Sequence, residues 1–408
     1  MEEEKKTGGF WKGFLTAAII FTLIAVICVI TVLEMTTKVP QNNTSGANAE
    51  DSMVTQSRQV QLKLGLLESY IRGYYLDEVD DEELEDYLYY GLVAGLGDPY
   101  AAYYNEEETQ SMLDSSSGSY CGIGAMFSQN MLTGVITVSR VYEGFPSYEA
   151  GILPEDILLK VEGEDITGMD LTNIVTKIKG EEGTKVTVTM LRGEEEIDFT
   201  MERRMIEVPT IEHELMADGV GYIMISEFDG VTDEQFHEAL IDLQRQGMES
   251  LVIDLRNNGG GSVESVCNIA DELLGEGPIV FTEYKGQDRD ERRSDAACID
   301  LPMAVLMNEN SASASEILAG ALQDYDAAEI VGTQSYGKGI VQSVIDLQDG
   351  TALKITTAKY YTPNGNNIHE IGITPDVEIE LPEELKTLVE IPFEEDVQLQ
   401  KAIEVLQQ

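Results

Sequence analysis

The run FLTAAIIFTLIAVICVITVL, residues 14–33, carries no charge over its whole length. About 20 apolar residues is the length that crosses a bilayer as one helix. Lipid offers the backbone no hydrogen-bond partners, so a helix is the one conformation open to such a lone segment. A secretory signal has a shorter apolar region, roughly 7–15 residues, with a cleavage site close behind it. The A-x-A triplet here, Ala47-Asn48-Ala49, lies well beyond the run. The reading is a single-pass transmembrane signal anchor that stays uncleaved. Lys5, Lys6 and Lys12 precede the run, and Lys38 is the one cation close behind it. By the positive-inside tendency, residues 1–13 are a cytoplasmic tail and everything from 34 onward is extracytoplasmic. Residues 34–57, which include VPQNNTSGANAED, read as a polar, flexible linker.

The outward part must fold on its own terms. The chain has 408 residues, of which 43% are hydrophobic, enough for two or three domains with sizeable cores. Its net charge of -49 argues against a nucleic-acid partner, because binding phosphates takes clustered Lys and Arg. Much of the acid lies in short runs, DEVDDEELED at 77–86 and EEE at 106–108, which read as solvated faces. The cysteines Cys28, Cys121, Cys267 and Cys298 form no CxxC, and His213, His237 and His369 are far apart. No zinc-ligand spacing and no dense disulfide framework follow; a single bridge stays open.

Residues 58–118 read as helical. Leu67, Tyr70, Ile71 and Tyr74 share one face, and a second helix runs from 81 to Gly95 or Gly97. Residues 119–205 read as a small β-rich domain. Val186, Val188 and Met190 alternate with polar residues, as do Ile197, Phe199 and Met201 after a turn at Arg192-Gly193, which predicts a hairpin with one buried face. Before it, Leu171, Ile174, Val175 and Ile178 share a helix face that Asp170 is placed to cap. From 206 to 383 strands and helices alternate. Thr232 and Gln235 look like a capping box. LVIDL at 251–255 and MAVLM at 303–307 are continuous apolar runs of buried-strand type, which predicts a mixed α/β domain with a largely parallel sheet. Residues 384–408 close the chain as a C-terminal segment.

Both apolar runs end in small-residue turns, RNNGGGS at 256–262 and NENSAS at 308–313, where open α/β sheets hold ligands. Ser311, Ser313 and Ser315 precede a helix whose N-terminus favours developing negative charge. The glycines 259–261 can bring backbone N–H donors close to a substrate. A serine nucleophile needs a base. No histidine sits in a catalytic-looking turn, His369 coming nearest in sequence context. Lys338 in GKG serves only if burial lowers its pKa by several units; taken alone, GKG is more often a turn with a solvated lysine.

Two resemblances narrow this. Gly122-Ile123-Gly124 before an apolar strand, followed by SYEAGILPEDILLKVEGEDI at 147–166 and the helix and hairpin, resembles a PDZ domain. That resemblance implies strand addition of an extended peptide, with the backbone of Gly122, Ile123 and Gly124 receiving its terminal carboxylate. The segment NENSASASEILAGALQDYDAAEIVGTQSYGKGIVQS, 308–343, is similar to the active-site region of the C-terminal processing peptidases, the tail-specific proteases. Their pattern is S-A-S-A-S-E followed by F/Y-G-K-G-x-x-Q, and LVIDLRNNGGGSV and LGDPYAAYY at 96–104 fit the same family. Tyr336 stands where Phe is common. The resemblance implies a crotonase-like Ser/Lys protease core with an inserted PDZ domain. It implies Ser313 as nucleophile, Lys338 as general base, Gln342 orienting the lysine, and Glu316 as a further acidic site residue. It implies an oxyanion hole from the N–H groups of Gly259 and Ala314, and no metal or organic cofactor. Substrates would be polypeptides with free, apolar C-termini, processed or degraded from the C-terminal side. The tyrosine-rich helical region permits a homo-oligomer. A non-enzymatic PDZ scaffold would lack Ser313 or Lys338, and an acyl-thioester enzyme would have no use for a peptide-binding module.

Overall fold

The computed structural model describes residues 57–386, 388 and 391–407. The tail, the anchor and the linker up to residue 56 lie outside the described residues. No helix among the described residues is long and apolar enough to cross a membrane. Among the described residues, 57–80 and those from Asp81 onward belong to separate compact units. The first contains the helix Arg58–Tyr74, which buries none of its residues and carries an Arg72–Glu68 pair one turn apart at 2.9 Å.

The second unit is a mixed α/β structure built on three main sheets. Its central sheet runs, in order, Ile211–Leu215, Val220–Ile225, Ser250–Asp254, Met303–Met307, Ala328–Gly332 and Val377–Glu378. Every pairing after the first is parallel. Buried on both faces, the two middle strands have no polar side to show in their sequence, hence the continuous runs. Alternate residues serve opposite cores. Leu251, Ile253, Met303, Val305 and Met307 pack against the helices Thr232–Gln246, Val263–Leu273 and Ala314–Asp324. Val252, Ala304, Leu306 and Val331 pack against Leu399 and Ala402 of the terminal helix Val397–Leu406. The capping box expected at Thr232 is not what starts its helix. Thr232 is already helical; its hydroxyl accepts from the Asp229 N–H at 2.8 Å, while Gln235 reaches across to the Thr210 N–H at 2.9 Å. The tertiary partner outcompetes the local one.

An antiparallel sheet centred on Ala352–Tyr361 lies beside this core, flanked by Ala102–Tyr104, Gly277–Tyr284 and Ile340–Asp346. The third sheet is the β-module. Its strands Ala125–Gln129, Ile136–Val141, Ile157–Val161, Lys185–Arg192 and Glu195–Glu202 pair antiparallel in that spatial order. Val186, Val188 and Met190 are fully buried there with Ile174 of the helix Leu171–Ile178, and Asp170 caps that helix by accepting from the Asn173 N–H at 3.0 Å. Ser119–Gly122 pairs with Arg204–Glu207 where the chain enters and leaves the module. Cys121, Cys267 and Cys298 are free thiols.

One buried ionic knot ties the C-terminal helix to the central sheet. Arg256, 9% exposed, donates to Asp254 at 2.6 Å and to Asp396 at 2.8 Å, their side chains 4% and 3% exposed. Tyr222 donates to Asp254, and Asp396 also caps the terminal helix through Gln398 and Leu399. Removing one partner strands a buried charge, which costs roughly 3–5 kcal/mol. Asp396→Ala is therefore expected to lower the urea-unfolding free energy by about that much. A loss under about 1 kcal/mol, the range of surface pairs, would contradict this burial.

Candidate active site

The turns after Ser250–Asp254 and Met303–Met307 meet because their strands are parallel neighbours. Asn258, fully buried, stitches them together. Its amide donates to the Ile225 carbonyl at 2.8 Å and accepts from the Gly260 N–H at 2.8 Å. Its own carbonyl accepts from the Ala312 N–H at 3.0 Å and from the Ser315 hydroxyl at 2.9 Å. Ser311, also buried, donates to the Leu255 carbonyl at 2.7 Å. Two of the three serines thus spend their hydroxyls on the neighbouring turn, and Ser313 makes no such contact.

Ser313 sits immediately before the helix Ala314–Asp324 with φ of 57°. A side chain in that left-handed region is strained by roughly 1–3 kcal/mol and persists only where its surroundings hold it. They do. Its N–H donates to Glu316 Oε2 at 2.8 Å, and its carbonyl accepts from the Tyr360 hydroxyl at 3.0 Å. Glu316, fully buried, also accepts from the Gly337 N–H at 2.7 Å, the Lys338 N–H at 2.8 Å and the Ser335 hydroxyl at 2.6 Å. Tyr360 donates to the Lys338 carbonyl as well. Ser313 and Lys338 are therefore held by their main chains to the same two side chains.

The N–H groups of Gly259 and Ala314 donate to no group among the described residues. Gly260 between them is packed hard against the serine: a Cβ there would lie 2.7 Å from both Ala312 O and Ser313 Cβ, at φ of 103°. Gly259 faces open space. Lys338 Nζ sits 4.6 Å from the centre of the Tyr100 ring, and it makes no hydrogen bond to Ser313 among the described residues. Burial pushes its amine below the ordinary lysine value and Lys354 pushes it further, with Asp98 and Glu316 opposing. Gln342 donates to the Thr356 hydroxyl at 3.2 Å rather than to the lysine. The third histidine, His369, packs its backbone against Gly339 and leaves Nδ1 buried without a partner. Asn258, Tyr100 and Tyr360 escaped the sequence reading. Asn258 and Tyr100 lie inside quoted segments, whereas no signal marks Tyr360 on its strand.

In the β-module, Gly122 belongs to a paired strand and Ile123 is buried in the core. Gly124 has φ of 75°, and a Cβ on it would lie 2.4 Å from Phe145 Cβ. The N–H groups of Ile123 and Gly124 have no partner among the described residues. Beyond them the edge strand Ala125–Gln129 and the helix Leu171–Ile178 bound a cavity of about 350 Å³. An unpaired strand edge beside free N–H groups can receive an extended chain and its terminal carboxylate.

Residues 219–379 match the family model of peptidase family S41, and residues 137–192 match that of a PDZ domain. A CtpA-like serine protease of Staphylococcus aureus is 36% identical over 312 residues, covering 76% of this chain and 62% of that protein. One from Staphylococcus saprophyticus is 36% identical over the same length, covering 63% of its chain. This chain thus spans less than two thirds of the length of these relatives. A solved structure of an S41 protease from Bacteroides fragilis shares the fold, with a TM-score of 0.51 at 17% identity, covering 82% of this chain and 92% of that one.

The geometry at the glycines predicts a contrast. Gly260→Ala is expected to destabilise the fold and to slow labelling of Ser313 by a fluorophosphonate at least about a hundredfold. Gly259→Ala should leave the melting temperature unchanged. Equal behaviour of the two variants would mean that the loop does not pack on Ser313 as described.

Proposed function

The chain belongs to peptidase family S41, and on that premise we propose that it is a membrane-anchored, extracytoplasmic serine endopeptidase acting on polypeptides from their C-terminal side. The observation that carries this reading is the buried Glu316 carboxylate, which holds the main chains of Ser313, Gly337 and Lys338 together. A turn with a solvated lysine has no need of that arrangement.

The chemistry runs as follows. A substrate carbonyl lies over Ser313, with its oxygen toward the free N–H groups of Gly259 and Ala314. Lys338 turns from the Tyr100 ring to the Ser313 hydroxyl and, as the neutral amine, accepts its proton. Ser313 Oγ attacks, and the two N–H groups take the oxyanion; one such donor is typically worth about 3–4 kcal/mol of barrier. Lys338 then protonates the leaving amine and activates water to release the acyl group. Desolvation favours the neutral amine that the first step needs. Gln342 lies on the strand leaving the lysine turn and steadies the amine once it has moved. The PDZ groove receives the free C-terminus of the substrate, its carboxylate at Gly122, Ile123 and Gly124. The run 14–33 anchors the protein in the cytoplasmic membrane with its N-terminus inside. Substrates are then proteins outside that membrane and close to it.

The test uses a peptide with an apolar C-terminus in free-carboxylate and amidated forms. Cleavage of the free form is expected, and Ser313→Ala and Lys338→Ala should each abolish it. Because the base works unprotonated and its pKa is lowered, the rate should rise with pH and level off below the ordinary lysine pKa of 10.5. Cleavage that survives either substitution would refute the dyad.

A further inference from the structure

The β-module groove has a second wall supplied by the protease core. Asp114 and Ser115 of the helix Glu106–Ser117 line it, with Glu227 and Asp229 from the turn after Val220–Ile225. Opposite stand Ile123, Ala125 and Phe127 of the module. The floor is apolar, yet three carboxylates face it against one lysine.

That lysine is already taken. Lys179, at the end of the module helix, pairs with Asp114 at 2.9 Å and lies over the Tyr120 ring at 5.0 Å. Arg140, which lies over the ring of the groove residue Tyr142, pairs with Glu212 at 2.7 Å. Asp229 is left over. It is 8% exposed, and its carboxyl group accepts no hydrogen bond and forms no ion pair among the described residues. Its backbone N–H is held by the Thr232 hydroxyl at 2.8 Å, and Gly118 comes so close that a Cβ there would lie 2.8 Å from the Asp229 Cβ. A buried carboxylate without a partner is expensive to keep unless something arrives to pair with it.

We infer that this groove selects C-terminal tails carrying a lysine or arginine upstream of an apolar last residue, with Asp229 as the acceptor for that cation and Glu227 beside it. The inference rests on the tail-recognition reading of the module. The free N–H groups at Ile123 and Gly124 serve every C-terminus alike, so they supply affinity without choice. An ion pair with this partly desolvated carboxylate supplies the choice. Burial, with Glu227 next, pushes the Asp229 carboxyl up to about 7. The other groups facing it are Asp114 and Lys179, paired with each other, and the hydroxyls of Tyr120 and Tyr142. Above that pH Asp229 is ionised and pairs with the incoming cation. Below it the proton must leave first, so the preference for a cation declines as pH falls.

The experiment uses the full chain in detergent, with Ser313→Ala to prevent cleavage. Peptides share a free carboxylate and an apolar last residue, with a single Lys or Gln walked through the upstream positions. At one or two adjacent positions Lys should bind about tenfold more tightly than Gln near pH 8.5. The gain should shrink severalfold near pH 5.5. In Asp229→Asn it should vanish while the Gln peptides bind as before, which also shows the groove intact. Should that variant misfold, the pH series on the unsubstituted groove decides. No gain from Lys at any position, or a gain that survives Asp229→Asn, overturns the inference. If the amidated peptides bind as tightly as the free ones, the tail-recognition reading falls with it. A preference for the free carboxylate without any gain from Lys sinks the inference alone.

Discussion

The Glu316 carboxylate is the interaction on which the site depends. A fully buried acid is tolerable only when its oxygens are satisfied, and four donors from two separate turns converge on this one. It lies in the first turn of its helix, where the backbone dipole favours negative charge. One partner is the N–H of Ser313, whose left-handed backbone needs an external hold. Two others are the N–H groups of Gly337 and Lys338. The proposed nucleophile and base, Ser313 and Lys338, are thus positioned relative to each other through main chain. Tyr360 adds a second clamp, its single hydroxyl proton shared between the carbonyls of Ser313 and Lys338.

The glycine loop at 259–261 is held by an equally indirect route. Asn258 binds four main-chain groups besides the Ser315 hydroxyl, and Arg256, two residues earlier, is locked between Asp254 and Asp396. The loop bearing Gly259 therefore has a fixed root in the sheet and a fixed seam with the serine turn. At its tip the Gly259 N–H has no partner among the described residues, which suits the oxyanion role proposed for it.

Much of this was legible in the sequence wherever the information is local. The strand Met303–Met307 has the bounds its apolar run predicts, since burial on both faces leaves no other pattern. The hairpin and the Asp170 cap were equally plain, because alternation and a capping carboxylate act within a few residues. Ser313 could be singled out only by likeness to a family. Three serines alternate, and what separates them is that Ser311 and Ser315 reach Leu255 and Asn258, more than fifty residues away. Tyr360 is silent for the same reason: on its strand it reads as one more aromatic. Thr232 misled because its best partners, Asp229 and Thr210, come from outside the helix. Local pattern names the element; a long-range bond decides what a polar side chain does there.

The segment 227–230 joins the two halves of the molecule's chemistry. Asp229 faces the peptide groove, while its neighbour Phe228 donates to the Gly260 carbonyl at 3.0 Å and accepts from the Ser262 N–H at 2.6 Å. Gly261 packs so closely on Phe228 that a Cβ there would fall 2.1 Å from the Phe228 carbonyl oxygen. A residue gripped in this way cannot shift without shifting the glycine loop. Whatever pairs with Asp229 therefore acts one residue from the strut beneath the glycine loop. On the proposed reading, recognition of a tail and readiness for cleavage would share a single stretch of backbone, and a close-packed contact of this kind passes displacement on rather than absorbing it.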